Sequence, residues 1–153
     1  MDEKEAISDV ELLSHVLLFT YQKTIRALCI LPHEYLTRHI IDSIKKASGD
    51  MKIILVDGMN LDQAFENYSA TLKNSGLVKN VWFEKLSSEE YMLHIDGCVY
   101  AKRIHSILKP RNVVCRFALL AMAIYEKFSG YKVELTDSEF MEKGTKTIIK
   151  KSA

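Results

Sequence analysis

The chain has 153 residues, enough for one domain whose core withdraws roughly two thirds of the unfolded surface from water. Hydrophobic residues make up 48% and charged residues 27%, which excludes a disordered composition, and a net charge of +1 excludes the strongly basic field of a nucleic-acid binder. The acidic start (Asp2, Glu3, Glu5), the three cysteines and apolar runs far short of the ~20 residues of a membrane span predict a soluble, cytoplasmic chain with reduced thiols and no secretion signal.

Ser8 and Glu11 form a capping box that opens a first helix, in which Val10, Leu13, Val16, Leu17, Thr20, Tyr21 and Leu28 recur at a helical period. Pro32 ends it and opens a second helix, with Leu36, Ile40 and Ile44 on one face and Gly49 at its end. The apolar run 51–56 fits a strand or a buried linker, and periodicity does not choose between them. Asn60 and Gln63 then cap a third helix, carrying Leu61, Phe65, Tyr68 and Leu72 and stopped by Gly76.

From Val78 the period becomes two. Val81, Phe83 and Lys85 share one strand face and Trp82, Glu84 and Leu86 the other. After the polar turn 87–90, Tyr91, Leu93 and Ile95 alternate with Met92, His94 and Asp96, so the two runs read as a hairpin closed by Gly97. A short helix follows with Tyr100, Ile104, Ile107 and Leu108 on its buried side, until Pro110. Asn112 caps the most apolar helix, 113–128, and Gly130 ends it. Val133 and Leu135 begin a third strand, and Gly144 turns into a last strand, 145–150, whose Lys146, Lys150 and Lys151 suggest a solvated sheet edge. This order predicts an α+β fold with an antiparallel sheet of about four strands, in one domain over 1–153: a helical part, 1–77, and a core, 78–150.

Common catalytic signatures are missing: no glycine-rich phosphate loop, no nucleophile elbow and no H-E-x-x-H. Cys98, His105 and Cys115 are of types that zinc accepts, although Cys98 and His105 on one straight helix would lie about 10 Å apart, and buried thiols also serve as plain packing. Cys115, at a helix start, is a thiolate candidate through the helix dipole, with burial acting against it. Trp82, Phe83, Tyr91, Tyr100, Phe117 and Tyr125 are candidates to line an apolar pocket between sheet and helix, or to pack the core.

The run Gly97-Cys98-Val99-Tyr100, then His105, Val114-Cys115 before the long helix, Gly130-Tyr131-Lys132-Val133 and Gly144 resembles the 4-vinyl-reductase-like (hydrocarbon-binding) domain family over roughly 78–150. The resemblance implies a fold like that of TRAPP subunits and NO-signalling ligand-binding domains, commonly dimeric. It also implies an apolar ligand pocket faced by Leu119 and Leu135, with Trp82 as a further candidate. The family's sensors hold zinc; here the matching positions give Cys115 and Asp137 or Glu139, whereas the other two fall near Phe140 and Ile148, which cannot ligate a metal. Cys98 and His105 are the substitutes, so the expected metal set is Cys98, His105 and Cys115. The expected function is non-enzymatic binding of a small hydrophobic molecule by a homodimer. An assembly subunit like the TRAPP components is the alternative, which an apolar face of more than roughly a few hundred Å² on the first two helices would favour. A zinc or thiol enzyme is a third reading.

Overall fold

The computed structural model describes residues 9–28, 33–50 and 56–153. Helices α1 (Asp9–Leu28), α2 (His33–Asp50) and α3 (Leu61–Asn74) precede strands β1 (Asn80–Lys85) and β2 (Glu90–Asp96). Helices α4 (Ala101–Leu108) and α5 (Arg116–Ser129) follow, then strands β3 (Val133–Leu135), β4 (Glu139–Phe140) and β5 (Gly144–Lys151). The fold is α+β, with helices packed on an antiparallel sheet that has five strands where the pattern gave about four. Ser8, Pro32 and most of the run 51–56 lie outside the described residues; Val56 itself is buried in neither a helix nor a strand.

The sheet runs β1-β2-β5-β3, with β4 sharing the edge of β5 that β3 occupies. Val81 lies opposite Ile95, Phe83 opposite Leu93, and Tyr91, Leu93 and Ile95 lie opposite Ile149, Thr147 and Thr145. The alternation thus sorts the faces as the sequence indicates, because a strand period of two sends successive side chains to opposite sides. The lysine-bearing strand is not an edge, however. β5 is hydrogen-bonded on both sides, and Lys146 and Lys150 reach solvent by alternating away from the buried face. Gly144 sits so close to β2 that a Cβ there would meet the Ile95 carbonyl oxygen at 1.8 Å, which explains glycine at this position.

The Asn60 cap forms, with Gln63 N–H donating to Asn60 Oδ1 at 2.9 Å, while the Gln63 side chain accepts from Met59 N–H rather than from the cap residue. Two other expectations change. Helix α5 begins at Arg116 and not at Val113, and Asn112 is not its cap but takes a left-handed φ of 58°. Val113 and Val114 are instead extended and spoken for: Gln22 Nε2 donates to Val114 O at 3.0 Å, Val114 N–H donates to Gln22 Oε1 at 2.7 Å, and Ser138 N–H donates to Val113 O. In α4, Ile104 is buried as expected but Ile107 is exposed.

Helix α5 is buried along almost its whole length, against α2, α3, β3 and β5. Its Glu126 carboxylate is 2% exposed and accepts from Arg38, from Lys45 Nζ at 3.0 Å and from Val133 N–H at 2.9 Å. Arg38 also donates to Val133 O. Burial on its own would raise the Glu126 pKa, but the Val133 amide and the two cations overcome it and hold the carboxyl below the usual glutamate range.

Glu126→Ala should cost about 3–5 kcal/mol in urea unfolding, since it strands a half-buried guanidinium and an amide together. Glu126→Gln should cost less, because the amide oxygen still accepts from Val133. A loss under about 1 kcal/mol for the alanine variant would rule out this role.

Candidate functional site

The chemistry-bearing residues of the core gather where α1, α4 and the start of α5 meet. Helix α1 turns His15, Phe19 and Gln22 inward. His15 stacks on Tyr100 (centroids 4.7 Å apart, 27° between planes) and meets Phe19 edge-on, and its Nδ1 has no hydrogen-bond partner among the described residues. The Arg116 guanidinium lies 5.4 Å from the Tyr100 ring centre and 5.6 Å from that of Phe117. Burial first, then the positive charge of Arg116 and the proximity of His105, lower the His15 pKa to about 4, so the ring is neutral at neutral pH.

Of the three expected metal ligands, Cys115 is close enough to Cys98 to affect its ionisation, and both are free thiols. Burial pushes the Cys98 thiol up to about 12, with Cys115 adding to the rise. Cys115 is raised as well, because its complete burial outweighs the amides of Phe117 and Ala118 at the helix start. The helix dipole therefore does not make Cys115 a thiolate. His105 donates from Nδ1 to the Met141 carbonyl and packs edge-on against Phe140, which leaves Nε2 as the acceptor of the neutral ring. Among the described residues, no group of three His, Cys, Asp or Glu side chains is placed to hold one metal ion.

The expected pocket residues separate. Leu119 is fully buried in the core around α5. Leu135 has its backbone opposite Ile149 on β3, and its side chain lies outside the described residues. Trp82 points to the other face of the sheet, 47% exposed, stacked flat on His94 at 4.7 Å, with His94 Nε2 2.8 Å from Glu84 Oε2.

Trp82 does border a groove of about 560 Å³ between α3 and β1, whose walls include Phe65, Phe83, Tyr91 and Asp62. Phe65 and Phe83 stack at 3.9 Å, and Tyr91 Oη donates to Asp62 Oδ1 at 2.7 Å. That bond, aided by Lys85, lowers the Asp62 pKa despite the opposing effect of burial. A second hollow of about 670 Å³ opens between α4 and the β4–β5 turn. The sequence reading missed His15 and Gln22, which lie on the polar side of α1, and no local pattern marks them. No family model matches the chain, and no curated protein matches it.

His15 makes the stability depend on pH in a definite direction. Its folded-state pKa lies below the usual 6.5, so between about pH 6.5 and 4 the unfolded chain takes up a proton that the folded chain refuses. Stability should therefore be fully present above the unfolded value and fall as pH drops through this window, by on the order of 3 kcal/mol. His15→Phe should flatten that part of the profile in chemical unfolding series. An unchanged slope would remove His15 from the argument.

Proposed function

We propose that the chain is a non-enzymatic assembly subunit that pairs through the outward face of α1 with a second copy of itself. The carrying observation is that Val10, Leu13, Leu17 and Tyr21 are 72%, 64%, 63% and 60% exposed. Their spacings of three and four make one continuous apolar stripe along a 20-residue helix. Scattered surface leucines are ordinary, but a stripe of this kind marks a face that meets another apolar surface. No helix among the described residues is long and apolar enough to cross a membrane, so a bilayer span does not account for it.

A second copy of the chain fits the stripe because it is self-complementary about a two-fold axis. With two α1 helices antiparallel and crossing at Leu17, Leu13 of one lies beside Tyr21 of the other. Apolar residues then meet apolar residues along the contact. The resemblance to the 4-vinyl-reductase-like family, whose members are commonly dimeric, agrees with this reading.

Sedimentation equilibrium should give a dimer for the wild type, and Leu17→Asp should give a folded monomer with unchanged far-ultraviolet circular dichroism. A wild type that stays monomeric through the micromolar range would defeat the proposal.

The groove between α3 and β1 favours a second reading, binding of a small hydrophobic molecule, by its aromatic walls. Trp82 is the single tryptophan of the chain and sits at the rim, so its emission is a direct reporter. Titration with naphthalene should shift or quench that emission saturably, and Phe65→Ala should change the affinity. A linear, unsaturable response would count against a site there.

A further inference from the structure

We propose that the hollow between α4 and the β4–β5 turn is a binding site for an organic phosphomonoester. The first observation is which charges line it. Lys102 on α4 and Lys109 just past its end line it, Arg111 joins them from the following loop, and Glu142 on the β4–β5 turn is the one carboxylate of the lining. Three cations against one carboxylate leave a local balance of +2, with His105 neutral because burial lowers its pKa.

Among the described residues none of these three cations has an ion-pair partner, although other lysines are paired, as in Lys85–Asp62, Lys150–Glu134 and Lys151–Glu89. Like charges that converge on one hollow repel one another, and an anion placed among them removes that repulsion. A dianion gains twice what a monoanion gains in the same field, and the three oxygens of a phosphate can engage three donors where a carboxylate has two oxygens. At about 670 Å³ the hollow has room for more than an inorganic ion. Pro110, Phe140 and Met141 supply an apolar wall for the organic part.

The second observation is the backbone. Lys109 ends α4 in the left-handed region, at φ 44° and ψ 60°, with its N–H donating to His105 O. This C-terminal position favours glycine, since a Cβ there is strained. Asn112, three residues on, is left-handed too, so two non-glycine residues at positive φ bracket Pro110 and Arg111. A lysine held where glycine would be more comfortable gives up stability and gains a charge at the mouth of the hollow. The floor is firm, because His105 donates from Nδ1 to Met141 O and so ties α4 to the turn that carries Glu142.

The neutral His105 ring adds chemistry that suits a phosphomonoester. With Nδ1 carrying the proton for Met141, Nε2 is an acceptor, which a bare carboxylate cannot use. A hydroxyl on the organic part of the ligand can donate to it, while the phosphate dianion faces the lysines and Arg111.

The test is calorimetric titration of the full chain with inorganic phosphate and with glycerol phosphate, against chloride at matched ionic strength. Both phosphates should bind and raise Tm where chloride does not, with glycerol phosphate the tighter. The Lys102→Ala/Arg111→Ala double variant should bind at least about tenfold more weakly, and Glu142→Gln more tightly. Lys109→Gly should separate site from scaffold: without ligand its Tm should rise by about 2–4 °C as strain is relieved, while phosphate affinity falls. Co-sedimentation with phosphatidylcholine vesicles only when they carry phosphatidic acid, lost in the double variant, would assign the phosphate to a lipid headgroup. Glycerol phosphate binding without co-sedimentation would assign it to a free metabolite. Equal responses of wild type and double variant, or equal effects of phosphate and chloride, would overturn the site.

Discussion

One buried carboxylate fixes how the helical half of the chain meets the sheet half. Glu126 stands on α5, the helix that the rest of the core surrounds, and its two oxygens are shared among α2, through Arg38 and Lys45, and the start of β3, through the Val133 amide. Apolar contact alone is non-directional and would let α2 slide along α5. A desolvated carboxylate with three donors does not permit sliding, since any shift strands a charge. Gln22 plays the same part for α1: its amide group pairs with both backbone groups of Val114 as a neighbouring strand would. The segment before α5 is thereby held extended, which is why the helix starts three residues later than its apolar pattern suggests.

The parts of the fold that follow from local periodicity were legible. The Val81/Phe83 and Tyr91/Leu93/Ile95 faces are buried or packed on the core as the alternation indicates, and the Asn60 cap, Gly76 and Gly130 mark helix ends where the structure has them. What failed depends on partners distant in sequence. Lys146 and Lys150 looked like an edge, but whether β5 has neighbours on both sides is decided by β2, which comes before α4 and α5 in the chain, as well as by β3 and β4. Asn112 has the residue type of a cap, yet Gln22, ninety-two residues before Val114, claims the backbone that the cap would have served.

The candidate sites divide in the same way. Ligand types are visible in a sequence, but their spacing through two turns and a helix is not, and so Cys98 and Cys115 come together while the His105 ring is committed to Met141. The lysines of α4 gave no signal because exposed lysine is the commonest surface residue pattern. Their proposed meaning comes from the lack of carboxylate partners among the described residues and from the positive φ of Lys109, both of which are properties of the folded chain.

Helix α1 shows most clearly why a hydrophobic pattern does not say what a helix faces. The periodicity of Val10, Leu13, Leu17 and Tyr21 is real, yet the side turned inward carries His15, Phe19 and Gln22, two of them polar. Rotating α1 by half a turn would bury the leucines, each worth roughly 1.5–3 kcal/mol when fully withdrawn from water. It would also unpair both Val114 backbone groups and the Gln22 amide, at roughly 1–3 kcal/mol apiece, and withdraw Phe19 from its place beside His15 and Phe140. The two orientations are thus comparable for an isolated chain, and the apolar side chains remain outside against their own preference for burial. A second surface that covers Leu13 and Leu17 removes the conflict without disturbing the Gln22 clamp. The proposed pairing of α1 with a copy of itself would satisfy every one of these groups at once.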